Sequence, residues 1–169
     1  MSYREGDFDR IAPRPEVSHG DRIPLARPDA NTQGILGLEG IYNRSRFTLQ
    51  SELIGTDYGG KVGGHGYGAY AQGAWFLTPD SRRYNSRWGV LAPHAPAGAY
   101  SASVFIRLSH ARGEDDINGW NAFRALTLGA DVYYRRLRAS LNAFYGDARE
   151  DIAGQGEGGG FNLRFQYIF

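Results

Sequence analysis

The chain is written in alternating apolar and polar positions. Its last stretch, Phe161 to Phe169, reads F-N-L-R-F-Q-Y-I-F. Phe161, Leu163, Phe165, Tyr167 and Phe169 share one parity, Asn162, Arg164 and Gln166 share the other, and only Ile168 is out of step. A strand has a side-chain period of two, so the stretch carries one large apolar face and one polar face. A strand that faces lipid and closes on an aromatic girdle fits that load. The last strand of a soluble sandwich is the competing reading.

The same pattern predicts six more strands upstream: Ile35–Tyr42, Arg46–Thr56, Tyr67–Leu77, Ala99–Ala111, Ala122–Tyr134 and Leu137–Ala148. An eighth strand ends before Arg10. Short turns are expected at Asn43-Arg44-Ser45 and Arg135-Arg136. Longer loops are expected at Asp57–Gly66, Thr78–Gly98, Arg112–Asn121 and Arg149–Gly160. Pro13, Pro15, Pro24 and Pro28 interrupt any ladder, so Ala12–Gln33 reads as a long loop packed against a wall. The chain divides into residues 1–34, a partial strand and Pro-rich loop, and 35–169, the regular strands. The expected fold is all-β, an antiparallel transmembrane β-barrel meander in which each strand pairs with its sequence neighbour. Short turns and long loops should alternate between the two rims of such a barrel. The turns at Asn43 and Arg135 fall on one rim, and Thr78–Gly98 falls there too, where it is too long.

Composition narrows the class. The 169 residues include 24 glycines and 14% aromatics, which suits a β-rich chain with many turns. No run of eighteen apolar residues occurs, so no membrane helix is predicted, whereas alternating strands would leave no such run. A net charge of +1 gives no global field, and no nucleic-acid partner is expected. There are no cysteines. The first ten residues lack the basic start and apolar core of a signal peptide. An exported protein with this start is expected to be a piece of a longer precursor or of a split gene.

Several stretches together resemble one family. Gly37–Leu53 (G-L-E-G-I-Y-N-R-S-R-F-T-L-Q-S-E-L) resembles a strand-turn-strand of the phosphate-selective porin O and P family. Tyr70–Thr78 (Y-A-Q-G-A-W-F-L-T) resembles its next strand, Arg14-Pro15-Glu16 the loop before them, and the closing strand matches as well. The resemblance runs along nearly all of the chain. It implies a bacterial outer-membrane channel of about sixteen strands, often a homotrimer, that passes phosphate-like anions or other small solutes. This chain would be the C-terminal half, a curved open sheet of seven or eight strands, and its partners would be the lipid bilayer and a missing N-terminal half. No substrate residue carries over, because the constriction elements belong to the absent half.

Oriented by the last strand, Glu39, Gln50, Glu52, Gln72, Arg107, Asp131, Arg138 and Arg164 fall on the face away from lipid. Charges at a bilayer midplane are costly against lipid, so these residues should line water or pair with one another. They are the pore-lining candidates, with wall salt bridges as the plainer alternative. His19, His65, His94 and His110 have no metal-ligand spacing. Glu114-Asp115-Asp116 reads as a solvated loop. Neither glycine-rich segment, 59–68 or 154–160, has the Lys-Ser/Thr end or following helix of a phosphate cradle, and no Ser-His-acid set stands out. Neither catalysis nor a cofactor is expected. Two other classes stay open: a small closed eight-stranded outer-membrane barrel with a structural or adhesive role, and a soluble barrel with its apolar face inward.

Overall fold

A computed structural model describes residues 2–8, 25–87, 89–92, 94, 96–117, 119–149 and 156–167. Among them there is no helix, and ten strands follow in chain order. These are β1 (Ser2–Phe8), β2 (Asp29–Arg44), β3 (Phe47–Val62), β4 (Gly64–Phe76), β5 (Tyr84–Asn85), β6 (Val90–Leu91), β7 (Tyr100–Asp115), β8 (Gly119–Tyr134), β9 (Leu137–Arg149) and β10 (Gly156–Tyr167). Eight of them form one antiparallel sheet in the order β1-β2-β3-β4-β7-β8-β9-β10, so every long strand pairs with its neighbour along the chain. The sheet does not close: β1 and β10 are its edges. β5 and β6 form a small separate hairpin inside the β4–β7 connection.

The predicted meander is therefore the observed one; the second short turn is where expected, and the first lies at Ser45-Arg46 rather than at Asn43-Arg44-Ser45, because β2 runs on to Arg44. Ser45-Arg46 and Arg135-Arg136 are two-residue hairpin turns, and Ser45 (φ 52°) and Arg135 (φ 53°) adopt the left-handed conformation that matches the twist of the flanking strands. The eighth strand exists as β1.

Two predicted loops are mostly strand instead. Asp57–Gly66 was expected to leave the ladder, but β3 continues to Val62 and β4 begins at Gly64. Arg112–Asn121 likewise belongs to β7 and β8 except for a short turn after Asp115. Ladder bonds run through the backbone, so glycines and charges can continue a strand above the apolar part of the sheet. β2 also starts at Asp29, inside the predicted Ala12–Gln33 loop. Pro13, Pro15, Pro24, the Arg14-Pro15-Glu16 stretch, His19, Ile168 and Phe169 lie outside the described residues.

The register contains a stagger that sets the geometry of the wall. The row that starts at Phe47, beside the first turn, runs through Trp75, Val104 and Ala130 to Leu141. β9 leaves the second turn at Leu137, four residues further toward the rim. If both turns lie on one rim, the row climbs about 13 Å over four interstrand steps of about 4.8 Å, a strand tilt of about 35°. That is the tilt of a membrane barrel wall.

Candidate functional site

Register assigns each side chain to a face, because directly paired residues point the same way. One face carries Leu38, Leu53, Ala69, Ala71, Val104, Ile106, Leu108, Leu126, Leu128, Val132, Leu141, Phe161, Leu163 and Phe165. Most of the large members are exposed: Phe161 81%, Phe165 75% and Leu38 71%. The belt is bounded by rings. Tyr42, Trp75, Tyr100, Tyr134 and Tyr167 lie near the turn rim, and Tyr67 and Tyr145 lie eight to nine residues above it, about 24 Å along the barrel axis at the tilt above. Higher up, the same face turns polar. His65 and Arg112 each approach Glu114 at 3.5 Å, and Arg112 lies over the Trp120 ring at 4.8 Å.

The opposite face holds all eight sequence candidates. Glu39 pairs with Glu52, Gln50 with Gln72, Gln72 with Arg107, and Arg164 with Ser140, which pairs with Asp131. Arg138 sits opposite Tyr133 on the same side. With one residue of stagger per strand, Glu39, Gln50, Glu52, Gln72, Arg107 and Arg164 fall within one residue of a common level, about 11 Å above the turn rim and midway up the belt. Asp131 and Arg138 lie closer to the rim and are tied together. The Arg138 guanidinium donates to both oxygens of Asp131 at 3.0–3.1 Å, and the Ser140 hydroxyl also donates to Asp131. Around Tyr70 the mid-level residues form a second network. Gln50 Nε2 donates to the Tyr70 hydroxyl (2.8 Å) and to Glu39 Oε1 (3.3 Å), and Arg107 lies 4.0 Å above the Tyr70 ring while donating to Ser109 Oγ (3.2 Å).

Chain folds onto this polar face at both rims. At the turn rim, the connection 78–98 bends over it, which accounts for its length. Asn43 Nδ2 donates to the Arg82 carbonyl at 2.5 Å, and Arg82 reaches the Tyr133 hydroxyl at 3.4 Å. The His94 ring packs between Phe76 (4.6 Å) and Tyr133 (4.8 Å), with Nε2 2.9 Å from Ser101 Oγ. Asp80 accepts from Thr78 Oγ1 (2.6 Å) and the Ala97 amide (2.9 Å). Burial works to raise the Asp80 pKa, but the hydrogen bonds from Thr78, Ala97 and Ser101 outweigh it and hold the carboxyl below its ordinary range. Burial pushes the His94 imidazole down, with Asp80 opposing and Arg82 and Arg83 adding to the effect.

At the opposite rim Leu25 is buried against Phe123 and Ala125, beside Ala111 and Ala148. Its carbonyl accepts from Asn121 Nδ2 (3.0 Å), and Asp115 accepts from the Arg27 amide (2.8 Å). Asp115 is thus a buried anchor rather than part of a solvated loop, and Asp116 accepts from the Gly63 amide (3.1 Å). Gly113 makes the approach possible, since a Cβ there would lie 2.8 Å from Leu25 Cβ. Sequence reasoning missed Leu25, Asn121, Asp115 and His94. The Arg27–Asp115 and Leu25–Asn121 contacts join residues 88 and 96 positions apart, and no local pattern marks them.

An apolar belt between aromatic rings, on tilted antiparallel strands with their polar residues on the other face, defines the wall of an outer-membrane β-barrel. The model of phosphate-selective porin O and P matches residues 20–169, and the chain belongs to that family. No curated protein matches it. Membership brings outer-membrane porin function in general, with embedding in the membrane and passage of small solutes, and it points to a channel rather than an enzyme.

Proposed function

We propose that this chain supplies one side of a water-filled channel in the bacterial outer membrane, with Glu39, Gln50, Glu52, Gln72, Arg107, Asp131, Arg138 and Arg164 lining the lumen. The observation that carries the reading is the separation of faces, with six of those residues at one level opposite the middle of an exposed apolar belt. In the bilayer core an unpaired sheet edge leaves backbone groups unsatisfied at several kcal/mol each, so β1 and β10 require partner strands. A second set of strands closes the barrel, and trimers of such barrels fit the family.

The lumen charges nearly balance. Arg107, Arg138 and Arg164 stand against Glu39, Glu52 and Asp131, and Arg138 is already engaged with Asp131. This side of the pore therefore biases ions weakly, and phosphate preference, if the channel has it, comes from elsewhere in the wall. The test is planar-bilayer conductance of the channel purified from its membrane. Weakly selective conductance is expected, with Arg164→Glu moving the reversal potential toward cations. An unchanged potential in that variant would count against a lumen position for Arg164. The 169-residue chain refolded alone should give no uniform channels; if it does, with a heat-modifiable gel shift, the small closed barrel is the better reading.

A further inference from the structure

We propose that the turn rim is a docking surface for anionic phospholipids, whose headgroup phosphates are taken by Arg44 and Arg46 at the first turn and by Arg135 and Arg136 at the second. The inference rests on the channel reading above and names the lipid that this rim selects. The first turn reads N-R-S-R (Asn43 to Arg46) and the second Y-R-R-L (Tyr134 to Leu137), so neither holds a carboxylate. All four arginines are exposed. The connection 78–98, on the same rim, adds Arg82, Arg83 and Arg87 against a single acid, Asp80, which already accepts from Thr78 and Ala97. The opposite rim leans the other way. Its stretches 57–66 and 112–121 carry Asp57, Glu114, Asp115 and Asp116 against Lys61 and Arg112. One end of the wall is thus strongly cationic and the other is not.

The side of the sheet decides the occupant. Arg44 pairs with Phe47, which pairs with Trp75, so Arg44 shares the face of the apolar belt and stands two residues beyond Tyr42. The Arg135 guanidinium lies 5.5 Å from the centre of the Tyr134 ring, and Tyr134 pairs with Tyr100 in the same aromatic row. Both cations therefore sit just outside the ring of aromatics, at the depth where a membrane interface places its headgroups. A guanidinium takes a phosphate through paired hydrogen bonds, and basic residues clustered at a membrane surface draw anionic lipid to it. Free phosphate in the lumen would call for these arginines on the polar face, and Arg44 is on the other one. Four interstrand steps of about 4.8 Å separate the two turns, so each turn holds a lipid of its own.

The probe is phosphatidylglycerol, with phosphatidylcholine as the lipid of zero net charge. The channel purified from its membrane is placed in nanodiscs of the two lipids in equal parts, and the lipids it retains on release are counted by native mass spectrometry. Phosphatidylglycerol should be retained over phosphatidylcholine by about fivefold, less so as salt rises. Replacing all four turn arginines by Gln should bring the ratio close to one, and replacing only Arg135 and Arg136 should remove about half of the preference. The four-Lys variant, which keeps the charge, should keep most of it. Lys61→Gln with Arg112→Gln, at the opposite rim, should change nothing. Equal retention of both lipids by the wild type, or a preference that survives in the four-Gln variant, would overturn the proposal. So would a four-Gln variant that shifts the reversal potential and leaves the lipid ratio alone, since the rim would then gather solute anions instead. Normal conductance without lipid preference overturns this inference alone, whereas preference without conductance sustains the lipid surface and overturns the channel.

Discussion

At one rim the polar face is covered by residues 78–98, and at the other by the segment that contains Leu25. The two coverings are built differently. At the turn rim the contacts are polar and aromatic: Asn43 to Arg82, Arg82 to Tyr133, His94 to Ser101, and Asp80 to Thr78 and Ala97. At the opposite rim Leu25 sinks into an apolar patch of Phe123, Ala125, Ala111 and Ala148, with two hydrogen bonds beside it. An apolar contact answers to volume and to buried charge, whereas a hydrogen-bonded one answers to protonation. Segments covering the two ends of one polar face should therefore come loose under different conditions.

The largest effect is expected from Leu25→Asp. Leu25 is 1% exposed, and a carboxylate in its place would lie against the apolar side chains of Phe123 and Ala125. Burying an unpaired charge costs several kcal/mol, so the segment should detach rather than bury it. Hydrogen exchange at the Arg27 amide, which donates to Asp115, should then accelerate by orders of magnitude, while the Ala97 amide stays protected. Equal loss of protection at both amides would mean that the two rims are one cooperative unit.

Gly113→Ala should act in the same place and more gently. Its methyl group would lie 2.8 Å from Leu25 Cβ and 3.1 Å from the Leu25 carbonyl carbon, so backbone must move. Overpacking of this kind costs about 1–3 kcal/mol, and it should raise Arg27 exchange about tenfold or more. No change in exchange would show that Leu25 is not held against β7 in the membrane.

The contrast also marks what the sequence makes legible. Period-two alternation identified the seven main strands, the turn at Arg135-Arg136 and the shared face of the eight polar candidates, because each of these is fixed within a few residues of chain. Strand ends were misjudged wherever the apolar period stopped. Gly59, Gly60 and Gly64 read as loop, although extended backbone needs no side chain to pair. Of the rim coverings only an outline was legible: Ala12–Gln33 reads as a loop packed against a wall, but its anchor at Leu25 and the covering by the β4–β7 connection do not show in the local pattern. Leu25 and His94 look like ordinary loop residues until the sheet brings Phe123 and Tyr133 beneath them. Their partners come from β8, which follows both in the chain, so the information is in the register and not in the local pattern.

The smallest effect separates the rims by acid alone. Burial depresses the His94 pKa below its ordinary 6.5, so the unfolded or undocked loop binds the proton more readily than the docked one. His94 therefore contributes stability fully above its ordinary value and loses it as pH falls toward the docked one. Asp80 is also depressed, from 3.8, through its hydrogen bonds, so its contribution persists above that value and is lost only as pH falls through the docked value. Of these two groups, only His94 changes its contribution between pH 7 and 5. Exchange at the Ala97 amide, corrected for its intrinsic pH dependence, should rise modestly as pH falls through this range, and exchange at Arg27 should stay level. In His94→Gln, a neutral hydrogen-bonding side chain, the Ala97 response should disappear. If it survives in that variant, protonation of another group loosens the turn rim, and the division between a pH-sensitive rim and a volume-sensitive one fails.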